Sequence, residues 1–393
     1  MVPSWVPAWT QAQREHLEPV ELAGSARASR VFPDLRRFGY SQNRPVAEAS
    51  ELLAFKDWVT DALERSPRTY VLGEGGPEVA NTEAQLGPPG VAEPDGFLVA
   101  RRAPGDVGEL IPAPITVEAR AAFDAGVALL REGKGAEALT QLRRSVSLSP
   151  GVPASRTALA DALAWLGDPE AAAAYARAID VDPTYATAHR GLAELRLAKG
   201  DLEGAQRAIA EAWALHPGSA QVQATADRVS QGLATKNPAR TPAFRAFLDV
   251  DPGGAVRVVA AGDAANAHAA ACHALFRWEP QLRAQLQGGR ASEPYALSML
   301  EEVICAEAAL GAYLSERGGP GEAPALEALL ALARADGLSG WALVEILGPA
   351  RPEKARVAPP AAHEAAVSYV LRQVLSAPRG LPSASPKAVG EAI

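Results

Sequence analysis

The sequence predicts a mainly α protein with a central superhelix of stacked helical hairpins. We expect a small α+β module before this superhelix and a helical domain with one β-hairpin after it. Prolines that close successive units stand 33 and 34 positions apart, at Pro150, Pro183 and Pro217. Glycines that divide each unit into two helices repeat with them, at Gly133, Gly167 and Gly200. A fixed period in this range is typical of repeat architectures.

The first unit shows why each repeat is a pair of helices. Residues 119–132 are almost all good helix formers, and Gly133 can take the left-handed conformation that ends a helix. A second helix follows with Ala138 and Leu142 on its inner face, and Pro150 ends it because its nitrogen has no hydrogen to donate. Two such helices bury only one face between them, so we expect successive units to stack.

This pattern resembles the tetratricopeptide repeat. Unit one matches the family at Ala125, Gly126, Leu129, Ala138, Leu142 and Pro150. Unit two matches at Leu159, Ala160, Leu163, Ala171, Tyr175 and Pro183, and unit three at Leu192, Ala193, Ala205, Ile209 and Pro217. The tryptophan of the first helix is replaced by Ala122, Arg156 and His189. The resemblance covers about a quarter of the chain, within a repeat domain at 116–235 that includes a polar capping helix after Pro217.

The resemblance implies that the first helices line a concave groove that binds a partner protein or peptide. The side chains expected to contact the partner are Arg120, Phe123, Val127, Arg131, Asp161, Trp165, Arg190 and Glu194. Phe123 and Trp165 are either anchors for the partner or packing residues between units. The groove lacks the Lys/Asn/Arg set that clamps a C-terminal carboxylate, so we do not expect a chaperone tail. The function implied is that of a non-catalytic adaptor or scaffold.

Composition limits the other classes of function. The formal charge is −8 with mixed signs throughout, which argues against nucleic acid as a partner. No uninterrupted apolar run of about 18 residues and no signal peptide are visible, so we expect neither a membrane span nor export. Cys272 and Cys305 do not make a disulfide framework and fit a reducing cytosol, which predicts a cytoplasmic protein. Abundant arginine, alanine and glycine indicate a bacterial source.

Residues 1–115 are expected to form the N-terminal module. Its arm is rich in proline and carries Trp5 and Trp9, which either dock on a partner or strap the module itself. One helix is predicted from Ser50, with an apolar stripe at helical spacing, and short strands are predicted at 69–72 and 96–100. The glycine-rich segment after the first strand lacks the Gly-Lys-Ser/Thr of a phosphate loop. A linker is expected at 104–114.

Residues 240–376 are expected to form the C-terminal domain. The Asp251-Pro252-Gly253-Gly254 segment between two β-rich runs predicts a hairpin. Helices are expected at 264–287, 294–317, 324–335, 339–347 and 361–376. Residues 377–393 are expected to be a disordered tail.

No catalytic, cofactor or metal signature is visible, and we expect no cofactor. His268 and Cys272 share a helix face, with His273 beside them, but two ligands from one face do not complete a metal site. Glu301, Glu302 and Glu307 are expected to form a solvated helix face. Two alternatives to the adaptor stay open. One is an enzyme whose active site lies in a flanking domain, and the other is a subunit of a bacterial secretion or defence assembly.

Overall fold

The computed structural model describes residues 19–22, 49–75, 97–101, 109–233, 244, 246–261, 263–286, 295, 298–316, 324–348 and 355–375. Over these residues the chain is mainly α, as the sequence predicts. Trp5, Trp9 and the predicted tail at 377–393 lie outside them. No helix of the described part is long and apolar enough to cross a bilayer.

Strands and one helix precede the repeats. They are β1 (Pro19–Leu22), α1 (Ala49–Arg65), β2 (Tyr70–Gly75), β3 (Leu98–Arg101) and β4 (Glu109–Pro112). The predicted helix and both predicted strands are therefore present. The stretch expected to be a plain linker contains β4, which pairs antiparallel with β3 from Leu98 opposite Pro112 to Arg101 opposite Glu109.

The repeats form three helical hairpins and a capping helix. The helices are α2 (Val117–Arg131), α3 (Gly135–Leu148), α4 (Pro153–Trp165), α5 (Ala171–Val181), α6 (Ala186–Ala198), α7 (Leu202–Leu215) and α8 (Ala220–Gly232). The three dividing glycines have φ angles of 77°, 70° and 76°, so each takes the left-handed conformation that the sequence predicts. Pro150, Pro183 and Pro217 all lie in the seams between one hairpin and the next.

The remaining elements follow the capping helix. They are β5 (Ala246–Val250), β6 (Val256–Ala261), α9 (Ala264–Trp278), α10 (Pro280–Leu286), α11 (Met299–Glu316), α12 (Pro324–Arg334), α13 (Leu338–Trp341) and α14 (Pro360–Tyr369). The helices α13 and α14 each continue as a π-helical stretch, Ala342–Leu347 and Val370–Val374. The single helix expected at 264–287 is divided at Pro280, because proline cannot donate to the preceding turn.

A four-stranded sheet joins the two flanking regions. Its strand order is β1-β2-β6-β5, and β5 and β6 form the predicted antiparallel hairpin. The strands β2 and β6 pair in parallel, from Tyr70 beside Val256 to Gly75 beside Ala261. A β-hairpin alone is only marginally stable in water, and here β2 pairs with β6 and extends the hairpin into a larger sheet. The boundaries at 115 and 240 stay predictions, but backbone hydrogen bonds connect the regions on either side of the repeats.

The two largest of the four apolar clusters in the described residues hold these parts together. One core runs from the repeats through the C-terminal helices, and it includes Leu163, Ile209, Trp341 and Val370. The second lies between α1, the sheet, α9 and α11, where Trp58 and Phe276 stack with ring centroids 6.0 Å apart. Burial of large side chains on this scale is the main force that fixes helices of marginal length.

The three glutamates expected on a solvated face are buried. Glu301, Glu302 and Glu307 have exposed fractions of 0%, 1% and 6%. The helix that carries them, α11, packs against both α1 and α9. Every residue from 301 to 312 is buried, so no face of this part of the helix contacts solvent. The sequence interpretation was wrong here because it treated a cluster of charges as evidence of exposure.

The cysteines are also not as predicted. Cys272 of α9 and Cys305 of α11 form a disulfide, with Cα atoms 5.3 Å apart. Both residues are fully buried. The number of cysteines gave no indication of this pairing, because it depends on two helices that pack side by side. The cytoplasmic location stays a prediction.

Candidate functional site

The residues predicted to line the groove lie on the first helices of the three repeats, α2, α4 and α6. One end of this groove is covered by the chain itself. The ring of Phe97 contacts Phe123 edge to face, with centroids 5.2 Å apart, and the guanidinium of Arg120 lies 4.0 Å from the Phe97 ring centre. Val99, Val152 and Tyr185 belong to the same apolar cluster. Arg120 and Phe123 therefore already contact this chain's own segment next to β3.

The middle of the groove carries two hydrogen-bonded sets of polar side chains, which together we call the polar ladder: Asp161 with Tyr175, and Arg190 with Glu194, Thr225 and Arg228. Arg190 Nη1 donates to Glu194 Oε1 over 2.8 Å. The same oxygen accepts from Thr225 Oγ1 at 2.8 Å and from Arg228 Nη2 at 2.9 Å, which connects α6 to the capping helix.

The other half of the ladder joins α4 to α5. The Tyr175 hydroxyl donates to Asp161 Oδ1. Burial raises the pKa of Asp161 above its ordinary value, although the Tyr175 hydrogen bond and the charge of Arg190 act in the opposite direction. Charges of both signs are thus held in place on the helices before any partner binds.

The end of the groove away from Phe97 is open. Val127 is half-buried, and Arg131 is exposed without an ion-pair partner among the described residues. Trp165 is 59% exposed, and its neighbour Leu166 is 42% exposed. The indole of Trp165 also lies on Gly135 at the start of α3, where any Cβ would collide with the ring. Trp165 therefore packs between two units and also presents a large apolar surface.

A contact that the sequence did not reveal joins the repeats to the flanking regions. Arg356, after α13, bonds Asp182 Oδ2 at 2.8 Å, Thr184 O at 3.2 Å and Leu98 O at 3.0 Å. The two charged side chains are 3% and 1% exposed. One guanidinium thus connects the seam before the third repeat, β3 and the C-terminal helices. The sequence identifies Asp182 only as the residue before the proline that closes a repeat, and no local sequence pattern indicates a role for Arg356.

The residues considered for a metal are each engaged elsewhere. His268 Nδ1 lies 2.8 Å from Ala264 O, Cys272 is in the disulfide, and His273 Nε2 lies 2.8 Å from Glu302 Oε2. Across the described ranges no group of three or more His, Cys, Asp or Glu residues is arranged to hold a metal ion.

The buried acids of α11 predict a pH-dependent stability. Burial raises the pKa of Glu301 from 4.5 to about 7, and Oε1 of this side chain has no hydrogen-bond partner among the described residues. Burial opposes charge on His273, but Glu302 outweighs it and raises the pKa of His273 above 6.5. Both groups bind protons more tightly in the folded state, so the stability that they contribute is lost as the pH rises.

We therefore expect the free energy of unfolding to fall by about 1 kcal/mol between pH 6 and pH 8. Glu301→Gln should reduce this dependence, because the amide does not ionise. The check is urea unfolding at both pH values, with the exposed Glu364→Gln as the control that keeps the wild-type dependence. A Glu301→Gln profile identical to that of the wild type would contradict the assignment.

Comparisons with known proteins agree with the geometry of the repeats. A family model described as tetratricopeptide repeat matches residues 169–228. Over 84 residues the chain is 45% identical to the TPR repeat-containing thioredoxin TTL4 of Arabidopsis thaliana, a match that covers 21% of this chain and 12% of that protein. The chain thus matches about an eighth of the length of this relative. Residues 169–228 thus match the tetratricopeptide repeat family.

Solved structures of tetratricopeptide repeat domains are also similar to a part of this chain. The first TPR of Spaghetti (RPAP3), bound to an HSP90 peptide, is 23% identical with a TM-score of 0.28, and the match covers 30% of this chain and 94% of that one. The Sgt2 TPR domain from Aspergillus fumigatus is 22% identical with a TM-score of 0.29, and the match covers 35% and 91%. At these scores the similarity carries no argument about the partner.

Proposed function

We propose that this chain is an adaptor or scaffold that holds a partner protein or peptide in the open part of its repeat groove. The tetratricopeptide repeats support a protein-binding role. The single observation that carries the location is the contrast between the two ends. At one end Phe97 covers Phe123, and at the other Arg131 and Trp165 are exposed beside the polar ladder.

The polar ladder favours selectivity for the partner. Asp161, Arg190, Glu194 and Arg228 are held by hydrogen bonds on packed helices, so little side-chain entropy is lost when a partner binds. Charges of both signs select a partner with the complementary order and reject others. An exposed indole next to such a set is the type of residue that contributes most to binding energy.

A site-specific crosslinking experiment tests this location. A photo-crosslinking residue in place of Arg131 should capture the partner, while the same residue in place of Leu148, an exposed position at the end of α3, should not. With the partner identified, Trp165→Ala should weaken binding by about 30-fold, in the range of an interface hot spot. Leu148→Ala should leave the affinity within about twofold.

Phe123→Ala is not a clean test, because it also removes the contact with Phe97. Equal capture from positions 131 and 148, or full affinity in Trp165→Ala together with Arg131→Glu, would refute the groove assignment. The adaptor's non-catalytic, bacterial and cytoplasmic character forms part of the proposal. The alternatives of an assembly subunit and of an enzyme with its active site in a flanking region are separated by the identity of the captured partner.

A further inference from the structure

A cleft lies where the third repeat meets β3 and the start of α14. Its volume is about 570 Å³, which is in the range of small-ligand pockets. Pro183, Leu215 and Pro360 form its apolar walls, and Glu211, His189 and His363 are among its polar lining residues. None of its lining residues belongs to the stripe of predicted groove residues.

The hydrogen-bond donors of this lining are engaged within the protein. Ala100 N and Thr184 N donate to the Asp182 carboxylate over 3.3 and 2.9 Å, and Thr184 Oγ1 donates to it over 2.7 Å. His189 Nε2 lies 2.9 Å from Pro183 O, and a carbonyl oxygen can only accept, so this nitrogen carries the proton. Pro183 and Pro360 have no N–H to offer.

One carboxylate of the lining, that of Glu211, has an imidazole beside it but no lysine or arginine among the described residues. Asp182 is neutralised by Arg356. Glu211 accepts from His363 Nε2 through Oε2 at 2.8 Å, and its Oε1 has no partner in the described part of the chain. Burial raises the pKa of Glu211, but the hydrogen bond and charge of His363 lower it further, so the net shift is downward and the group is ionised at neutral pH.

The second nitrogen of His189 is also an acceptor. Burial lowers the pKa of His189, so this ring stays neutral and its Nδ1 retains a lone pair. His363 Nδ1 has no hydrogen-bond partner within the described ranges. Its Nε2 already contacts Glu211. The lining thus offers the free Oε1 of Glu211 and the Nδ1 lone pair of His189 as acceptors.

We propose that this cleft binds an ammonium or guanidinium group on an aliphatic stem, with Glu211 as its counter-ion and Leu215, Pro183 and Pro360 against the stem. Such a group supplies a positive charge to Glu211 and hydrogen-bond donors to the acceptors of the lining. It is carried by a free alkylamine or by a Lys or Arg side chain of a bound protein, and the chemistry of recognition is the same for both sources.

Calorimetric titration of the full chain tests the charge requirement. The probes are n-butylammonium and n-butylguanidinium, with n-butanol and butyrate as the neutral and anionic controls. We expect the two cations to bind and the controls to bind at least about tenfold more weakly, as loss of one charge-assisted hydrogen bond implies. Equal binding of n-butanol or tighter binding of butyrate would overturn the proposal.

Two variants place the site. Glu211→Gln should weaken the cations about tenfold, whereas Glu203→Gln, an exposed carboxylate on the same helix, should leave them within about twofold. Ala100→Leu places a larger side chain in the cleft and keeps the Glu211 carboxylate, so it should also weaken binding. This variant tests the site independently if Glu211→Gln disturbs folding. Thermal unfolding monitors the fold of each variant. Wild-type affinity in folded Ala100→Leu would place the cations elsewhere and overturn the proposal.

The source of the group is decided by comparing 1,5-diaminopentane with an acetylated peptide that contains a single lysine. Tighter binding of the diamine supports a free amine, and tighter binding of the peptide supports a side chain of a bound protein. Glu211→Gln should weaken the binding of both probes. If neither probe binds the wild-type chain, the cleft proposal is overturned, while the groove proposal is unaffected.

Discussion

Replacing Arg356 with methionine is expected to lower the free energy of unfolding by about 3–5 kcal/mol. The guanidinium bonds Asp182, Thr184 O and Leu98 O, and its removal leaves a buried carboxylate without its cation. Arg356→Lys should recover only part of this loss, because an ammonium cannot bond all three acceptors in the planar geometry of the fork. The measurement is urea unfolding, followed by circular dichroism.

A double variant separates the missing charge from the missing packing. In Arg356→Met with Asp182→Leu no unpaired charge remains, so this chain should be more stable than Arg356→Met alone. Arg207→Met is the control, because Arg207 makes an exposed pair with Glu203 and should change stability by less than about 1 kcal/mol. A loss no greater than that of the control would show that the buried pair does not hold the repeats to the flanks.

The second large effect concerns the disulfide between Cys272 and Cys305. Its reduction is expected to lower the free energy of unfolding by about 3–4 kcal/mol, because the crosslink closes a loop with a sequence separation of 33 and restricts the unfolded chain. The bond also joins α9 to α11 at the centre of the second core. Urea unfolding with and without reductant measures the effect on the same chain.

The chain with both Cys272→Ala and Cys305→Ala is the matched control, since reductant should not change its unfolding midpoint. The oxidised wild type, denatured without reductant, should show no free thiol. Two titratable thiols in that sample, or an equal response to reductant in the control, would contradict the assigned bond.

The repeats were predictable because their signals are local. The dividing glycines need the left-handed conformation and the closing prolines cannot continue a helix, and both effects act within a few residues. The positions of Asp161, Arg190 and Glu194 on the first helices follow from the same periodicity. Phe97 lies far enough away in sequence that its contact with Phe123 could not be inferred.

The C-terminal region shows the limit of such inference. Glu301 and Glu302 have the same local pattern as exposed acids, and their burial depends on α1 and α9 packing around α11. The pairing of Cys272 with Cys305 and the contact of His363 with Glu211 depend in the same way on where whole helices pack.

By itself the sequence determined a stack of three helical hairpins and the stripe of side chains on their first helices. Only the tertiary structure decided which end of the groove stays open, that one sheet joins both flanks, and that a carboxylate in a cleft has no lysine or arginine beside it. The reason is that turns and helix ends are set by the conformational limits of single residues. Burial, charge pairing and crosslinking are set by segments that meet from distant parts of the chain.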